Sequence, residues 1–291
     1  ERLADYWVFG GIFRPVYLEA KPLANIEKVG IDATHKGDFS MGVWYNANLA
    51  KGWVQATIMD ERQKVVGTTK TNITGNDLYV NLLTKVNNPV SWNAERPTLY
   101  TVKVELFGAG GKKQHEVHEK FGFRTVTVRR GEGVFVNDVQ VKFKGVNRHC
   151  FWPETGRSLS REQQLMDVRL LKEMNMNAVR CSHYPPDKYF LQLCDSLGIY
   201  VIDELAGWQK AYSTKAGTPL VEEMVTRDMN HPSIVFWANG NEGGTNKELD
   251  AVFTQHDFQK RTVIHPHHRP GNQFNGIDCN HYEDYYSTKK I

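Results

Sequence analysis

The chain has 291 residues, 40% hydrophobic and 24% charged, with a formal net charge of +3. This describes an ordinary globular protein of one to three domains. The slight charge and the lack of a Lys/Arg stripe with interleaved aromatics give no reason to expect a nucleic-acid partner, and no apolar run reaches the roughly 20 residues that span a bilayer, so no membrane partner is expected.

Cys150, Cys181, Cys194 and Cys279 match neither a zinc pattern nor a disulfide framework. The N-terminus lacks an initiator Met and a signal peptide and reads as cut rather than natural. The compartment stays open, with a periplasmic or extracellular setting slightly favoured. Association into a homo-oligomer is also left open.

From about Leu23 to Val128 the chain alternates polar and apolar residues in short runs, at 40–49, 52–60, 77–84, 98–108 and 124–130. Turn signals such as Lys36-Gly37-Asp38 and Gly110-Gly111 separate them. Period-two alternation broken every 8 to 12 residues predicts an antiparallel sandwich. A hairpin follows over 133–143, with Asn137-Asp138 as its two-residue turn.

After Lys142 the rhythm becomes strand, helix, strand, helix. A strand is expected over 141–147. Ser160 to Gln163 form a capping box that opens a helix through about Met174. A second strand at 177–183 precedes a helix capped by Asp187 and stopped before Gly198. A third strand lies at 199–204, then a helix near Pro219 to Met229, a fourth strand at 233–241, and a helix from about Lys247. The last two strands are placed at 261–265 and 276–282. Near-continuous apolar strands alternating with helices indicate a parallel sheet covered on both faces. Six strands are two short of a closed eight-stranded barrel.

In such a barrel the chemistry sits at the C-terminal strand ends. The polar residues fall there: Asn147-Arg148-His149, Arg180 to His183, Asp203-Glu204, Asn241-Glu242 and His281-Tyr282. The run FWANGNEGG, residues 236–244, takes an apolar strand straight to the carboxylate of Glu242. A buried carboxylate costs stability unless it is paired or used. Plainer explanations exist for single residues. Arg180 could be a core ion pair, His149 and His183 satisfied structural histidines, Asn241 a turn cap and Trp208 a buried loop anchor. The run His265 to His268 lacks a partnered Cys or carboxylate in register and reads as a loop.

The segments GGIFRPVYL, FGFRTV, FKGVNRH, PETGR, NAVRCSHYP, LCDSLGIYVIDE and RDMNHPSIVFWANGNE, in this order and at this spacing, resemble glycoside hydrolase family 2. That family holds β-galactosidases, β-glucuronidases and β-mannosidases. The resemblance implies a multidomain β plus α/β fold. Residues 1–20 would be the C-terminal end of a jelly-roll sugar-binding domain, 21–128 an immunoglobulin-like β-sandwich, and 129–291 the first six strands of an incomplete (β/α)8 TIM barrel.

It also implies a retaining, exo-acting β-glycosidase that removes terminal β-linked sugars, with Glu242 as general acid/base. The apolar strand before Glu242 is expected to raise its pKa, as a general acid requires. By resemblance Asn241 bonds the sugar 2-hydroxyl, Arg180 orients the nucleophile, and His149 and His183 contact the sugar. Glu204 is a supporting acid, Tyr282 assists the nucleophile, and Trp208 is a candidate stacking platform. The nucleophile would lie beyond residue 291, so these residues alone are expected to show no turnover.

The partner is a carbohydrate substrate, and no cofactor is implied. Where family galactosidases carry an acidic residue and two histidines, this chain has Cys150-Phe151-Trp152. The Glu-x-His pair of their magnesium site is replaced around Trp208-Gln209, so no metal site is expected. Both departures weaken any transfer of galactose specificity. The rival reading is a non-catalytic carbohydrate-binding protein on a degenerate hydrolase fold, which would have no need of the acid.

Overall fold

The computed structural model describes residues 6, 9–46, 51–74, 78–267, 277, 279 and 281. Two antiparallel sheets form the sandwich. One has the order β1 (Ile26–Ala33), β2 (Asp38–Tyr45), β5 (Tyr79–Lys85). The other runs β4 (Val65–Ile73), β3 (Gly52–Met59), β6 (Tyr100–Gly108), β7 (Lys113–Phe121). Alternate residues of the central strands meet between the sheets: Met41 and Val43 from β2, Val54, Ala56 and Ile58 from β3, Val102, Val104 and Leu106 from β6. Each is fully buried, as period two requires.

β1, β4 and β7 are absent from the alternating runs read in the sequence, and for β4 and β7 their position explains why. Both are outer strands of the four-stranded sheet, so much of their length faces water and polar residues serve as well as apolar ones. The run at 124–130 forms β8 (Val126–Arg129), but it pairs with β9 (Gly133–Val136) rather than with either sandwich sheet. β9 turns back into β10 (Val139–Val141) through Asn137 and Asp138, at φ 53 and φ 64. Two successive positive φ values make this the primed turn that hairpins favour. Val126, Val128 and Val136 of this small sheet pack on Ala178, Tyr200 and Val235, at the starts of the barrel strands.

The barrel strands are all parallel and lie in chain order: β11 (Gly145–Arg148), β12 (Ala178–Cys181), β13 (Tyr200–Trp208), β14 (Ile234–Asn241), β15 (Val263–Ile264). Every residue of β14 is buried. Of the sixth expected strand, at 276–282, only Ile277, Cys279 and His281 are among the described residues, and none of these three is in a strand. The helices are α1 (Arg161–Glu173), α2 (Lys188–Leu197), α3 (Thr214–Asp228) and α4 (Leu249–His256). The Ser160 hydroxyl accepts from Gln163 N–H, and Gln163 accepts from Ser160 N–H. Asp187 caps α2, and Gly198 ends it at φ 78, with no room for a side chain against Ala94. α3 starts before Pro219, because Ser213 caps it by accepting from Ala216 N–H; the proline lies inside the helix.

Asn230 joins sandwich to barrel: Oδ1 accepts from Ile31 N–H at 2.9 Å, and Nδ2 donates to the Val29 carbonyl at 2.8 Å. Buried Arg124 donates to the carbonyls of Pro232 and Ile234. These bonds set the foot of β14, the strand that carries the candidate acid.

Candidate active site

Four barrel strands meet at one guanidinium, through the C-terminal ends of β11, β12 and β14 and the middle of β13, which runs on to Trp208 past the end expected at Glu204. Arg180, at the end of β12, donates to both carboxylate oxygens of Glu204, from Nε at 2.6 Å and from Nη2 at 2.9 Å. Nη2 also donates to Asn241 Oδ1 at 2.8 Å, and Nη1 to Asn147 Oδ1 at 3.3 Å. His183 Nδ1 is 3.1 Å from Glu204 Oε1 and 3.1 Å from Arg180 Nη2. Glu204 is fully buried, so this bidentate pair supplies the compensation a buried carboxylate needs. With Arg180 on Oδ1, the Asn241 amide is oriented. Its buried Nδ2 has no hydrogen-bond partner of good geometry among the described residues, and lies close enough to Glu242 to favour the ionised carboxylate.

The glycines of 236–244 now have a physical role. Gly240 is at φ 77, and a Cβ there would stand 2.2 Å from the Gly244 carbonyl oxygen. A Cβ on Gly244 would stand 2.4 Å from the Gly207 carbonyl oxygen. The turn after β14 thus folds back against the end of β13, and Glu242 leaves it at φ 46. Gly244 and Gln209 both donate their N–H to the Asn241 carbonyl, at 2.8 and 3.0 Å. Gly240→Ala is expected to lower the unfolding free energy by about 1–3 kcal/mol, the cost of a side chain in the left-handed region. It should also move Glu242. An unchanged denaturant midpoint would show that the turn tolerates a Cβ.

The expected rise in the Glu242 pKa does not hold for the described residues. Burial pushes its carboxyl up, but hydrogen bonds from His281 and Gln209, the charge of His281 and the nearby Asn241 amide outweigh that, and the net shift is downward. The apolar residues before Glu242 point into the barrel wall, and the carboxylate sits beyond the strand end among donors. His281 Nδ1 lies 3.3 Å from Glu242 Oε1.

Residues 25–124 match the model for glycosyl hydrolases family 2, and residues 126–291 match that for the family 2 TIM barrel domain. The chain belongs to glycoside hydrolase family 2. This family 2 chain is 31% identical over 291 residues to the beta-galactosidase BgaC of Bifidobacterium adolescentis, a match covering 90% of the chain and 28% of that protein. It is 34% identical over 263 residues to a beta-galactosidase of Halalkalibacterium halodurans, covering 82% of the chain and 26% of that protein. It therefore spans about a quarter of the length of these relatives. Among solved structures it superposes on a beta-glycosidase from Bacteroides vulgatus with TM-score 0.78 and 25% identity, over 88% of the chain and 35% of that protein. It also shares its fold with a Parabacteroides merdae beta-glucuronidase, at TM-score 0.79 and 22% identity, over 90% of the chain and 36% of that protein.

Of the residues the family resemblance singles out, Arg180, His183, Glu204 and Asn241 form one cluster, and Glu242 adjoins it. His149 belongs to its wall: its ring lies 5.3 Å from that of His183, and Tyr6 packs 5.9 and 6.0 Å from the two. Trp208 ends β13 opposite Asn241, and its buried indole N–H has no hydrogen-bond partner among the described residues. Tyr282 lies outside the described residues. The candidate site also includes residues with no assigned part in the sequence reading: Asn147 on Arg180, and Gln209 and His281 on Glu242. His281 could be suspected only from standing beside Tyr282 at a strand end. Nothing in the sequence marks Gln209, which reaches Glu242 through the glycine turn.

Among the described residues no three or more of His, Cys, Asp and Glu are grouped to hold a metal ion. His265, the first of its histidine run, is buried with Nε2 2.8 Å from each Asp250 oxygen.

Proposed function

We propose that this chain carries the acid/base half of a retaining, exo-acting β-glycosidase, with Glu242 as general acid/base. The observation that carries the reading is the Arg180–Asn241–Glu242 arrangement at the open end of the β14 strand. Asn241, oriented by Arg180, keeps an amide donor for a sugar hydroxyl immediately before the carboxyl group that would protonate the glycosidic oxygen. In retaining hydrolysis a second carboxylate, about 5 to 5.5 Å away, attacks the anomeric carbon while the first donates its proton; water then releases the sugar, with the first acting as base. We assign that nucleophile to the part of the relatives' length that this chain does not span. Arg180 is placed to orient it, and His149, His183 and Trp208 to contact the glycone.

The lowered pKa of Glu242 suits the base role in the second step. For the first step, the charge of a neighbouring nucleophile would push the same carboxyl upward, since like charges disfavour joint ionisation. The substrate is proposed to be a β-galactoside or a related β-linked sugar, because the curated relatives are named beta-galactosidases. No magnesium requirement is proposed.

Following the anomeric proton by NMR during hydrolysis by the full-length protein tests the mechanism. The first product is expected to be the β-anomer, which then mutarotates. Initial release of the α-anomer would overturn the retaining assignment.

A further inference from the structure

Next to the Arg180–Glu204 clamp is a second group of buried acids. Successive residues of a strand point to opposite faces, so Asp203 is turned away from its neighbour Glu204 and toward α3. Asp203 and Asp228 are both fully buried. Asp228 accepts from Arg227 Nε at 2.7 Å and from Arg227 Nη2 at 2.5 Å. Asp203 Oδ1 accepts from the Glu204 N–H at 2.9 Å. Among the described residues, buried Asp203 Oδ2 meets no N–H donor; its side-chain neighbour is Asp228. The other groups that face it are Arg227 on α3, the Cys181 thiol on β12, and Glu204 on its own strand, whose carboxylate is already held by Arg180.

Among the described residues one cation, Arg227, therefore serves two buried carboxyl groups. Two facing carboxylates repel, whereas a single shared proton turns the contact into a hydrogen bond. We propose that Asp203 is a positioning residue that carries this proton: a neutral carboxyl group donating from Oδ2 to Asp228 while Oδ1 accepts from Glu204 N–H. Burial first, and the charge of Asp228 second, hold the Asp203 carboxyl well above the ordinary carboxylate range. The pair ties β13 to α3 and fixes the backbone of Glu204, which in turn holds Arg180 and, through it, Asn241. This inference is independent of the role given to Glu242.

Asp203→Asn discriminates, because an amide reproduces both bonds: its oxygen accepts from Glu204 and its NH₂ donates to Asp228. Asp203→Ala reproduces neither. Hydrogen exchange is read in the full-length protein, on peptides spanning Tyr200–Trp208 and Thr214–Asp228, with correction for intrinsic rates. Exchange in the Asn variant is expected to stay within about twofold of the parent, and the Ala variant to exchange at least about tenfold faster. The pH dependence supplies a reading that packing alone would not move. A carboxyl group whose folded-state pKa is raised gives stability that is complete at low pH and is lost as pH rises through the folded value. Protection in the parent should therefore fall as the pH is raised above the ordinary carboxylate range, while the Asn variant, having no such proton, lacks that fall. An infrared carboxylic-acid band present in the parent and lost in Asp203→Asn would agree. If Asp203→Asn exchanges as fast as Asp203→Ala, or fails to fold, Asp203 accepts at both oxygens and the proposal is wrong.

Discussion

Replacing Glu242 by Gln in the full-length protein is expected to lower turnover of substrates with poor leaving groups by about 10²- to 10⁴-fold, the usual contribution of a positioned general acid. Gln has nearly the size of Glu and can hold similar contacts with Gln209 and His281, so the fold should be unaffected. The amide cannot give a proton to the glycosidic oxygen, nor take one from water in the second step. Aryl glycosides whose phenol leaves readily should be spared in the first step and stall in the second. Azide, which needs no base, should then restore turnover and form a glycosyl azide of the substrate's own anomeric configuration. The alkaline limb of the parent's pH profile for kcat/KM should also disappear for these substrates. Loss that is equal for all leaving groups, without azide rescue, would mean that Glu242 only shapes the site.

The second large effect concerns stability. Arg180→Met is expected to cost about 3–5 kcal/mol, because it strands the fully buried Glu204 carboxylate without its bidentate partner. His183, 3.1 Å from the same carboxylate, cannot supply two parallel N–H donors. Adding Glu204→Gln to Arg180→Met should recover about 1–3 kcal/mol, since the charge in need of a partner is gone. Denaturant unfolding of the single and double variants measures both numbers. A loss below about 1 kcal/mol for Arg180→Met would show that the clamp contributes little to folding and that Arg180 is kept for the site alone.

Much of the fold is legible in the sequence because its signals are local. The Ser160–Gln163 box, the Asp187 cap, the stop at Gly198 and the Asn137-Asp138 turn each depend on residues within four positions of one another. The central strands of the sandwich and β14 are legible because burial on one face or on both leaves a direct mark on composition. The outer strands β4 and β7 leave a weak mark, since water accepts almost any residue on them.

The candidate site is legible only as a set of strand ends. Parallel strands in chain order had to bring Arg180, Glu204 and Asn241 together, and the structure shows that they do. Which oxygen meets which nitrogen was decided by the tertiary structure. So was the state of the acid. The apolar strand suggests a raised pKa for Glu242, whereas the turn at Gly240 carries its carboxylate out among Gln209 and His281, 33 and 39 positions away, which lower it. The sequence by itself determines which carboxylate stands at the strand end. Solvation and hydrogen bonding depend on atoms that only folding brings within about 3 Å, so the protonation of that carboxylate is a property of the tertiary structure.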